Sequence, residues 1–213
     1  MAEEKTPLKW KFKTGGGVSS SSAVADGVAY FGSIDNHLYA VEIKSGEEQW
    51  KFKTGSSVSS SPAVADGVVY FGSRDNYLYA IDSQTGEEQW KFKTGDGVRS
   101  TPAVSDGVVY FGSDDTHLYA VDIKTGEEKW KFKTGDWVDS SPAVSDGVVY
   151  FGSYDNHLYA LDIKTGKEKW KFETGDSVYS SPAVVDGVVY FGSHDYHLYA
   201  VDAKSGEEKW KFK

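Results

Sequence analysis

The side chains best suited to chemistry are histidines and aspartates that recur at a spacing of 40 residues. Histidine stands at positions 37, 117, 157 and 197, and an aspartate stands two residues before each of them and before Tyr77. Imidazole and carboxylate groups together can bind a metal ion or transfer protons. Each pair belongs to a separate copy of the repeat, so the histidines are expected to lie too far apart to share one metal ion. We therefore predict a structural role, in which each aspartate caps a turn through its side chain. These aspartates are Asp35, Asp75, Asp115, Asp155 and Asp195.

Nucleophilic catalysis is not predicted either. A Ser-His-Asp combination can be assembled from almost any copy, because all three residue types recur, whereas a triad needs distinct roles in one geometry. Nothing outside the repeated frame supplies that geometry. The chain contains no cysteine, which excludes a cysteine nucleophile, disulfides and thiolate metal ligands. The sequence therefore predicts a protein that is not an enzyme and uses no cofactor.

A second group of side chains is distinctive because it breaks the repeat. Trp137 stands where the other copies have Gly17, Ser57, Gly97 and Ser177. Three further columns, which start at positions 19, 34 and 36 and continue at steps of 40, also change in charge and size between copies. Trp, Tyr and Arg are the residues that dominate binding interfaces. We expect eight side chains from these columns to form a binding face: Trp137, Asp139, Tyr154, Arg99, Tyr179, Arg74, His194 and Tyr196.

The elements that position these residues follow from the repeat. Trp-Lys-Phe begins at residue 10 and returns every 40 residues up to residue 210. A period near 40 with several short strands per copy is typical of propeller blades. Each copy has a short extended segment, an Asp-Gly hairpin turn, an apolar Val-Tyr-Phe strand and two further strands. In the last strand Trp and Phe alternate with charged residues, so only one face is apolar. We predict an all-β, five-bladed β-propeller with four antiparallel strands per blade.

Topology places the variable columns at one end of this propeller. In an up-and-down meander, the loop that enters the first strand and the loop between strands two and three emerge at the same end. All four variable columns lie in or beside these loops, whereas the Asp-Gly and Thr-Gly turns emerge at the opposite end and hardly vary. Loops on a rigid scaffold commonly carry binding sites. The alternative is neutral sequence drift at exposed loop tips. The opposite end would then vary less only because its Asp-Gly and Thr-Gly turns tolerate few substitutions.

One segment carries a family resemblance. Residues 120–130, AVDIKTGEEKW, resemble the tryptophan-docking motif of the pyrroloquinoline quinone (PQQ) type repeat family, Ala-x-Asp-x-x-Thr-Gly-x-x-x-Trp. The motif occurs five times, with Glu42, Ser45 and Ser205 as departures from it. The resemblance implies a propeller in which each tryptophan packs between adjacent blades and the turn glycine approaches the neighbouring backbone. The tryptophans expected to dock in this way are Trp50, Trp90, Trp130, Trp170 and Trp210.

The resemblance implies the fold but no active site. Quinone-dependent dehydrogenases of this family are much longer, and they hold the quinone with calcium-binding carboxylates, a stacking tryptophan and, in many, two adjacent cysteines. This chain has no cysteine and no unique set of carboxylates outside the repeat. Members of the family more often have seven or eight blades, so five copies are a departure. We expect no quinone, no calcium and no dehydrogenase activity.

The two ends of the chain present a mismatch in strand number. We predict one domain over residues 1–213, with repeats at about 14–53, 54–93, 94–133, 134–173 and 174–213 and an extra outer-type strand at 7–13. Five blades need five outer strands, but six Trp-Lys-Phe segments are present when those at Trp10 and Trp210 are both counted. Either of these two can seal the last blade, and the other must fray, extend an edge or pair with another chain. We expect a monomer, with a strand-exchanged dimer as the alternative.

Charge and composition exclude several partners. The formal net charge of -9 argues against nucleic acid, because phosphate binding needs a basic surface. No apolar run approaches the roughly 20 residues of a membrane-spanning helix. The N-terminal sequence MAEEKTPLKW lacks the apolar core of an export signal, so the cytoplasm is the expected location, with a leader that has been removed as the alternative.

Three functional hypotheses remain. The leading one is a non-catalytic repeat scaffold that binds a protein or a peptide through its variable face, around the mouth of the channel. A lectin-like, carbohydrate-binding propeller is an alternative that predicts equivalent sites from blade to blade. An engineered or recently amplified structural propeller with no specific ligand is another, since copies three and four differ at only 8 of 40 positions.

Overall fold

Residues 8–213, which are those that the computed structural model describes, fold into five four-stranded antiparallel sheets. Each sheet comes from one copy of the repeat, and its strands follow one another in sequence order. The first strands of neighbouring sheets contact one another, so the sheets are arranged as blades around an axis. The predicted all-β, five-bladed propeller is confirmed. Within these residues, no helix is long and apolar enough to cross a membrane.

The strands are numbered in chain order, four to a blade, and blade 1 contains β1 to β4. Their bounds are β1 Ala23–Ala25, β2 Val28–Ser33, β3 His37–Glu42, β4 Glu48–Lys53, β5 Ala63–Ala65, β6 Val68–Ser73, β7 Tyr77–Asp82, β8 Glu88–Lys93, β9 Ala103–Ser105, β10 Val108–Gly112, β11 His117–Asp122, β12 Glu128–Lys133, β13 Ala143–Ser145, β14 Val148–Gly152, β15 His157–Asp162, β16 Glu168–Glu173, β17 Ala183–Val185, β18 Val188–Ser193, β19 His197–Asp202 and β20 Glu208–Phe212.

Local sequence explains how each blade is assembled. The Asp106-Gly107 turn between β9 and β10 has positive φ at both residues, 51° and 73°, which is the geometry of a tight hairpin turn. The resulting register sets Tyr110 opposite Ala120 and Ala120 opposite Trp130, next to a bulge in the pairing of β11 with β12. The same register recurs in the other blades. Tyrosine and tryptophan therefore lie on one face of each blade.

Apolar packing between blades forms the core. Between blades 3 and 4, Tyr110 and Leu118 of one sheet pack against Phe151 and Tyr159 of the next, and all four are buried. Equivalent clusters join blades 1 and 2, 2 and 3, and 4 and 5. We call each of these contacts a seam. Every inner strand is thus covered on both faces wherever two seams flank its blade.

A tryptophan on the outer strand completes each seam. The Trp130 indole donates a hydrogen bond from Nε1 to the carbonyl oxygen of Ile163, at 3.0 Å. The same indole lies against Gly166, where an added Cβ would be 2.6 Å from the ring. Glycine is required there because φ is also positive, at 66°. Trp50, Trp90 and Trp170 make the matching contacts with the blade that follows each of them.

At the two ends of the chain the structure differs from the prediction. Within residues 8–213 no blade follows Trp210, which is 45% exposed and does not dock. Trp10 instead occupies the docking position on blade 1, where its Nε1 donates to the carbonyl oxygen of Ile43 at 2.8 Å. Residue 7 of the predicted extra strand lies outside the described residues, and residues 8–13 form no strand. The position of the outer strand in blade 5 is occupied by β20, which pairs with β19.

Candidate binding site at the mouth of the channel

The two loops that carry the variable columns lie side by side. The backbone N–H of Tyr154, in the loop after β14, donates to the carbonyl oxygen of Trp137, in the loop before β13, at 3.0 Å. The Ser153 hydroxyl donates to the same carbonyl oxygen at 3.2 Å. The equivalent backbone bond is present in all five blades. The variable side chains are therefore presented by a repeated and rigid backbone frame.

The recurring aspartates hold this frame, which is the turn-capping role predicted for them. Asp195 accepts hydrogen bonds from the Gly175 N–H at 2.9 Å, from the Tyr199 hydroxyl at 2.6 Å and from the His197 N–H at 3.1 Å. Burial works to raise the pKa of Asp195, but these hydrogen bonds outweigh it and lower that pKa to about 2. The His197 ring packs against Tyr199, with 5.7 Å between centroids, and so belongs to the same structural unit.

A buried ion-pair cluster lies between blades 3 and 4. The Arg99 guanidinium contacts one Asp114 oxygen through Nη2 at 2.8 Å and through Nε at 2.9 Å, and it reaches Asp139 through Nη1 at 3.1 Å. The Asp114 and Asp139 side chains are only 7% and 4% exposed. The Oδ1 atom of each has no hydrogen-bond partner among the described residues. One arginine is thus shared by two buried carboxylates, so its single positive charge balances only one of them, and two acceptor atoms are left unused.

This arrangement shifts the protonation of the cluster. Burial and the neighbouring Asp139 carboxylate raise the pKa of Asp114 to about 7, although Arg99 works in the opposite direction. Burial works to lower the pKa of Arg99, but attraction to Asp139 and Asp114 outweighs it and raises that pKa. The guanidinium therefore stays charged, and Asp114 is the group that gains or loses a proton near neutral pH.

A row of aromatic side chains continues from this cluster across blades 4 and 5. The Arg99 guanidinium lies 5.1 Å from the centre of the Trp137 ring. Trp137 packs edge-on against Tyr154 at 5.7 Å, and Tyr154 packs edge-on against Tyr179 at 6.0 Å. The His194 ring follows Tyr179 at 5.8 Å. We call Trp137, Tyr154, Tyr179 and His194 the aromatic row.

An axial pocket opens beside the aromatic row. Its volume is about 270 Å³, and all five blades contribute to its lining through Ser19, Ser59, Arg99, Asp139 and Tyr179, together with Arg74. Five of these residues belong to a single variable column, with one residue from each blade. The pocket is therefore lined by charged side chains from blades 2 to 4, by serines from blades 1 and 2, and by a tyrosine from blade 5.

The structure brings most of the predicted binding residues into one connected surface. Trp137, Tyr154, Tyr179 and His194 form the aromatic row, while Arg99, Asp139 and Arg74 line the axial pocket. Tyr196 does not join them: it is 83% exposed, in a turn where its φ is 73°.

Asp114, Ser19 and Ser59 are site residues that the prediction missed. The sequence does contain a signal for Asp114. It lies in a variable column and in the same copy as Arg99, and Asp139 occupies the position of Arg99 in the next copy. Opposite charges at neighbouring variable positions indicate an ion pair between blades. The two serines carry no such signal, since serine is frequent throughout these loops.

The residues at the mouth do not fit a calcium-bound quinone. Asp139, the carboxylate that lines the pocket, is already engaged by Arg99, as is the buried Asp114 beside it, and Arg74 adds a second cation to the lining. Among residues 8–213, no three or more His, Asp or Glu side chains are grouped so that they could hold a metal ion. The histidines that suggested metal chemistry are instead separated from blade to blade.

The opposite end of the propeller carries grooves that repeat between blades. One groove, of about 500 Å³, is lined by Asp146, Val148, Tyr150 and Lys169 of blade 4 together with residues of blade 5. A second, of about 460 Å³, has the equivalent residues of blades 3 and 4. Tyr150 is only 2% exposed, so it offers no open aromatic surface. These grooves are equivalent to each other, whereas the axial pocket is lined by a different residue type on most blades.

Comparison with known proteins places this geometry in context. The model of the family described as outer membrane protein assembly factor BamB matches residues 4–100 and 84–213. No curated protein sequence matches the chain closely enough to count as a relative.

Three solved structures share the fold at low sequence identity. BamB from Moraxella catarrhalis superposes with a TM-score of 0.85 at 22% identity, over 96% of this chain and 67% of that one. The computationally designed Ika8 protein gives 0.82 at 19% identity, over 91% and 61%. The quinohemoprotein alcohol dehydrogenase ADHIIG from Pseudomonas putida HK5 gives 0.81 at 22%, over 95% and 43%. The chain therefore spans between about two fifths and two thirds of these proteins.

Proposed function

The chain belongs to the PQQ-type β-propeller repeat family, and we propose that it is a non-catalytic scaffold that binds a protein or a peptide at the mouth of its channel. The bound segment lies along the aromatic row and places a polar group in the axial pocket. The chemistry of the site supports this role, since the mouth offers exposed aromatic surface and hydrogen-bonding groups. The Ser177 hydroxyl lies 3.1 Å from Nδ1 of His194, but no carboxylate is hydrogen-bonded to that histidine within residues 8–213, so the pair lacks the orienting group of a catalytic triad.

The observation that carries the proposal is the aromatic row itself. Trp137 is 41% exposed and Tyr179 is 51% exposed, although each ring already packs against a neighbouring ring. Covering the exposed part of one such tryptophan contributes roughly 2 kcal/mol at about 25 cal/mol per Å². Aromatic rings held in place by their neighbours lose little side-chain entropy on binding, which favours recognition.

The axial pocket indicates the polar chemistry of the ligand. Asp139 lines the pocket, and its carboxylate oxygens can accept a hydrogen bond from an N–H or an ammonium group. Arg74 lines the same pocket and can donate to a carbonyl or a carboxylate. A peptide backbone, which presents both N–H and C=O groups, satisfies both sides. The mixed charge gives no preference for a purely acidic or purely basic ligand.

The family supports a protein partner at a coarse level. The matching model is described as an outer membrane protein assembly factor, a role carried out among other proteins. The designed Ika8 neighbour shares the fold, and it fits the alternative of a propeller with no specific ligand. These two alternatives differ in one measurable property, which is selective binding at the mouth.

Selection from a displayed random-peptide library tests the proposal. The full chain is immobilised, and enriched peptides are measured by titration against the wild type, Trp137→Ser and Lys169→Ala. Serine is the residue that copies two and five carry at the position of Trp137, and Lys169 lies in a groove at the opposite end. We expect the Kd to rise at least about tenfold in Trp137→Ser, since about 1.4 kcal/mol corresponds to tenfold, and to stay unchanged in Lys169→Ala. Failure to enrich any peptide, or equal affinity for Trp137→Ser, would overturn the proposal.

The carbohydrate-binding alternative has one structural observation in its favour. The grooves at the opposite end are equivalent between blades, as a multivalent lectin requires. A glycan array probed with the wild type and Lys169→Ala separates the two functions. Glycan binding that weakens in Lys169→Ala and is lost when Lys129 is also replaced by alanine supports the lectin. An array with no signal, together with peptide binding at the mouth, excludes it.

A further inference from the structure

Blade 5 carries an apolar face that no other part of the described chain covers. Leu198 is 44% exposed, Trp210 is 45% exposed and Phe212 is 70% exposed. The equivalent leucine of blade 4, Leu158, is fully buried. The sequence of this face is almost identical in the two blades, so its exposure follows from position and not from composition. We call this surface the blade 5 face.

The structure shows what covers the same face in every other blade. In blade 4, Tyr150 and Leu158 pack against Phe191 and Tyr199 of blade 5. The Tyr150 hydroxyl and the Trp170 indole both donate to the carbonyl oxygen of Ala203, each at 3.1 Å. No hydrogen bond of this kind is formed within residues 8–213 by Tyr190 or Trp210. The blade 5 face therefore has the chemistry of half a seam.

The other half of this seam lies on blade 1. Val18 is 51% exposed, whereas its equivalents at positions 58, 98, 138 and 178 are fully buried. The outer part of this surface is covered by Trp10 and by Phe12, which packs edge-on against Tyr39 at 5.4 Å. Phe172 makes the same contact with Tyr199 in the seam between blades 4 and 5. Blade 1 thus has the receiving surface of a seam, and residues 10–12 stand in for an outer strand.

The two halves belong to one chain but do not meet in it. Four seams with the same contacts set the arrangement of the five blades, and no apolar cluster joins blade 5 to blade 1 among the described residues. Gly192 illustrates the gap: an added Cβ there meets only Ser180, whereas at Gly152 it would meet Val178.

We propose that the blade 5 face binds blade 1 of a second copy of this chain, which forms a fifth seam between molecules. The sequence of residues 10–13 is the same as that of residues 210–213, so β20 of one copy can replace residues 10–13 of the other with the same contacts. In this exchange the docking contact of Trp10 is lost and the same contact is formed by Trp210 of the other copy, so the number of docking contacts does not change. The gain comes from burying Leu198, Tyr190 and Val18, which are solvent-accessible in a single copy.

The geometry of this contact dictates the type of assembly. The two surfaces are different, so each copy still has one free half after a single contact forms. Such a head-to-tail contact adds further copies until rotation closes a ring, and otherwise it continues as a filament. Assembly of this kind is independent of the mouth, and it can fail while peptide binding holds.

Solution mass measured by light scattering after size-exclusion chromatography tests the proposal on the full chain. From about 1 to about 200 μM, a range in which contacts of micromolar Kd become populated, the wild type should form dimers or larger species. Leu198→Asp and Val18→Asp should each be monomeric, because each places a carboxylate in one half of the seam. Ile34→Ser, which alters an exposed apolar residue in the loop between β2 and β3, should assemble like the wild type.

Mixing the two monomeric variants provides the decisive measurement. Leu198→Asp retains a competent blade 1, and Val18→Asp retains a competent blade 5 face, so their mixture should form a dimer and stop there. Misfolded variants could not restore each other in this way. A wild type that stays monomeric over the whole range overturns the proposal, and so does self-association of Val18→Asp alone, which would mean that like faces pair.

Discussion

Trp130 and Trp137 lie seven positions apart in the sequence but in two physically different regions. Trp130 fills a groove against Gly166 of the next blade, and its indole nitrogen is bonded to the Ile163 carbonyl. Trp137 is 41% exposed at the mouth, where it packs against Tyr154 and Arg99. The first residue has a counterpart in every copy, and the second has none.

The difference shows how a repeat can separate stability from recognition. The seams use the same or closely similar apolar residues in each blade, because each must fit the same neighbouring surface. The mouth uses positions whose side chains extend from the loops without entering a seam, so residues there can change independently. A substitution in the first region should therefore change the free energy of unfolding, and one in the second should chiefly change binding.

Removal of a docking tryptophan should have the largest effect. Trp130→Ala empties the groove and breaks the hydrogen bond to Ile163, so we expect a loss of about 3–5 kcal/mol in the free energy of unfolding, measured with chemical denaturant. Trp210→Ala is the matched control, since this tryptophan has no following blade, and its loss should be about 1 kcal/mol in monomeric protein. Equal losses would contradict the assignment of docking to Trp130 and not to Trp210.

Loss of the arginine in the ion-pair cluster should have the next largest effect. Arg99→Ala leaves Asp114 and Asp139 buried side by side without a cation, and we expect a destabilisation of about 2 kcal/mol. The cost stays moderate because Asp114 can take up a proton. Arg74→Ala is the control, because Arg74 is exposed and its loss should change stability by about 0.5 kcal/mol or less. If both variants unfold at the same denaturant concentration, the cluster does not join blades 3 and 4.

The protonation of Asp114 should give a pH-dependent effect. Its pKa is about 7 in the folded state, so the folded state keeps a proton that the unfolded state releases near pH 4. The stability from this proton is complete below about pH 4 and is lost as the pH rises to about 7. Asp114→Asn lacks this proton, so the wild type should lose stability relative to it as the pH rises from about 5 to about 8. The loss should be about 1.4 kcal/mol for each pH unit up to the folded-state pKa and should level off above it.

Denaturation at both pH values checks this prediction. Asp106→Asn is a suitable control, since Asp106 is exposed in a hairpin turn and asparagine tolerates its φ of 51°. That variant should follow the wild type at both pH values. Parallel behaviour of Asp114→Asn and the wild type would mean that Asp114 is not protonated in the folded state.

The sequence predicts the blades better than the ends and the mouth. The 40-residue period, the Asp-Gly turns and the alternation around Trp130 each dictate a local structure, so the strands follow from them. The segments at Trp10 and Trp210 have the same sequence, so local pattern cannot decide which one pairs with β19 and which one docks. The choice depends on which strand or blade lies next to each segment in the folded chain, and local sequence does not encode that.

The mouth shows a similar division. Variation between copies identifies Trp137, Arg99 and Tyr179, because each departs from its column. Asp114 is harder to find, since its role depends on burial beside Asp139, which no local pattern encodes. Tyr196 has the residue type of a binding residue, but it occupies a turn position with a φ of 73°. Its side chain is 83% exposed and does not join the aromatic row.

The smallest effect on stability should come from Trp137, and it gives the most direct test of the central claim. Unfolding and peptide affinity are measured on the same preparation of Trp137→Ser. We predict a loss of about 1 kcal/mol or less in unfolding free energy, from the contacts with Arg99 and Tyr154, and a rise in Kd of at least about tenfold. A variant that is destabilised by about 3 kcal/mol or more, or one that binds the selected peptides as well as the wild type, would contradict the separation of docking from recognition.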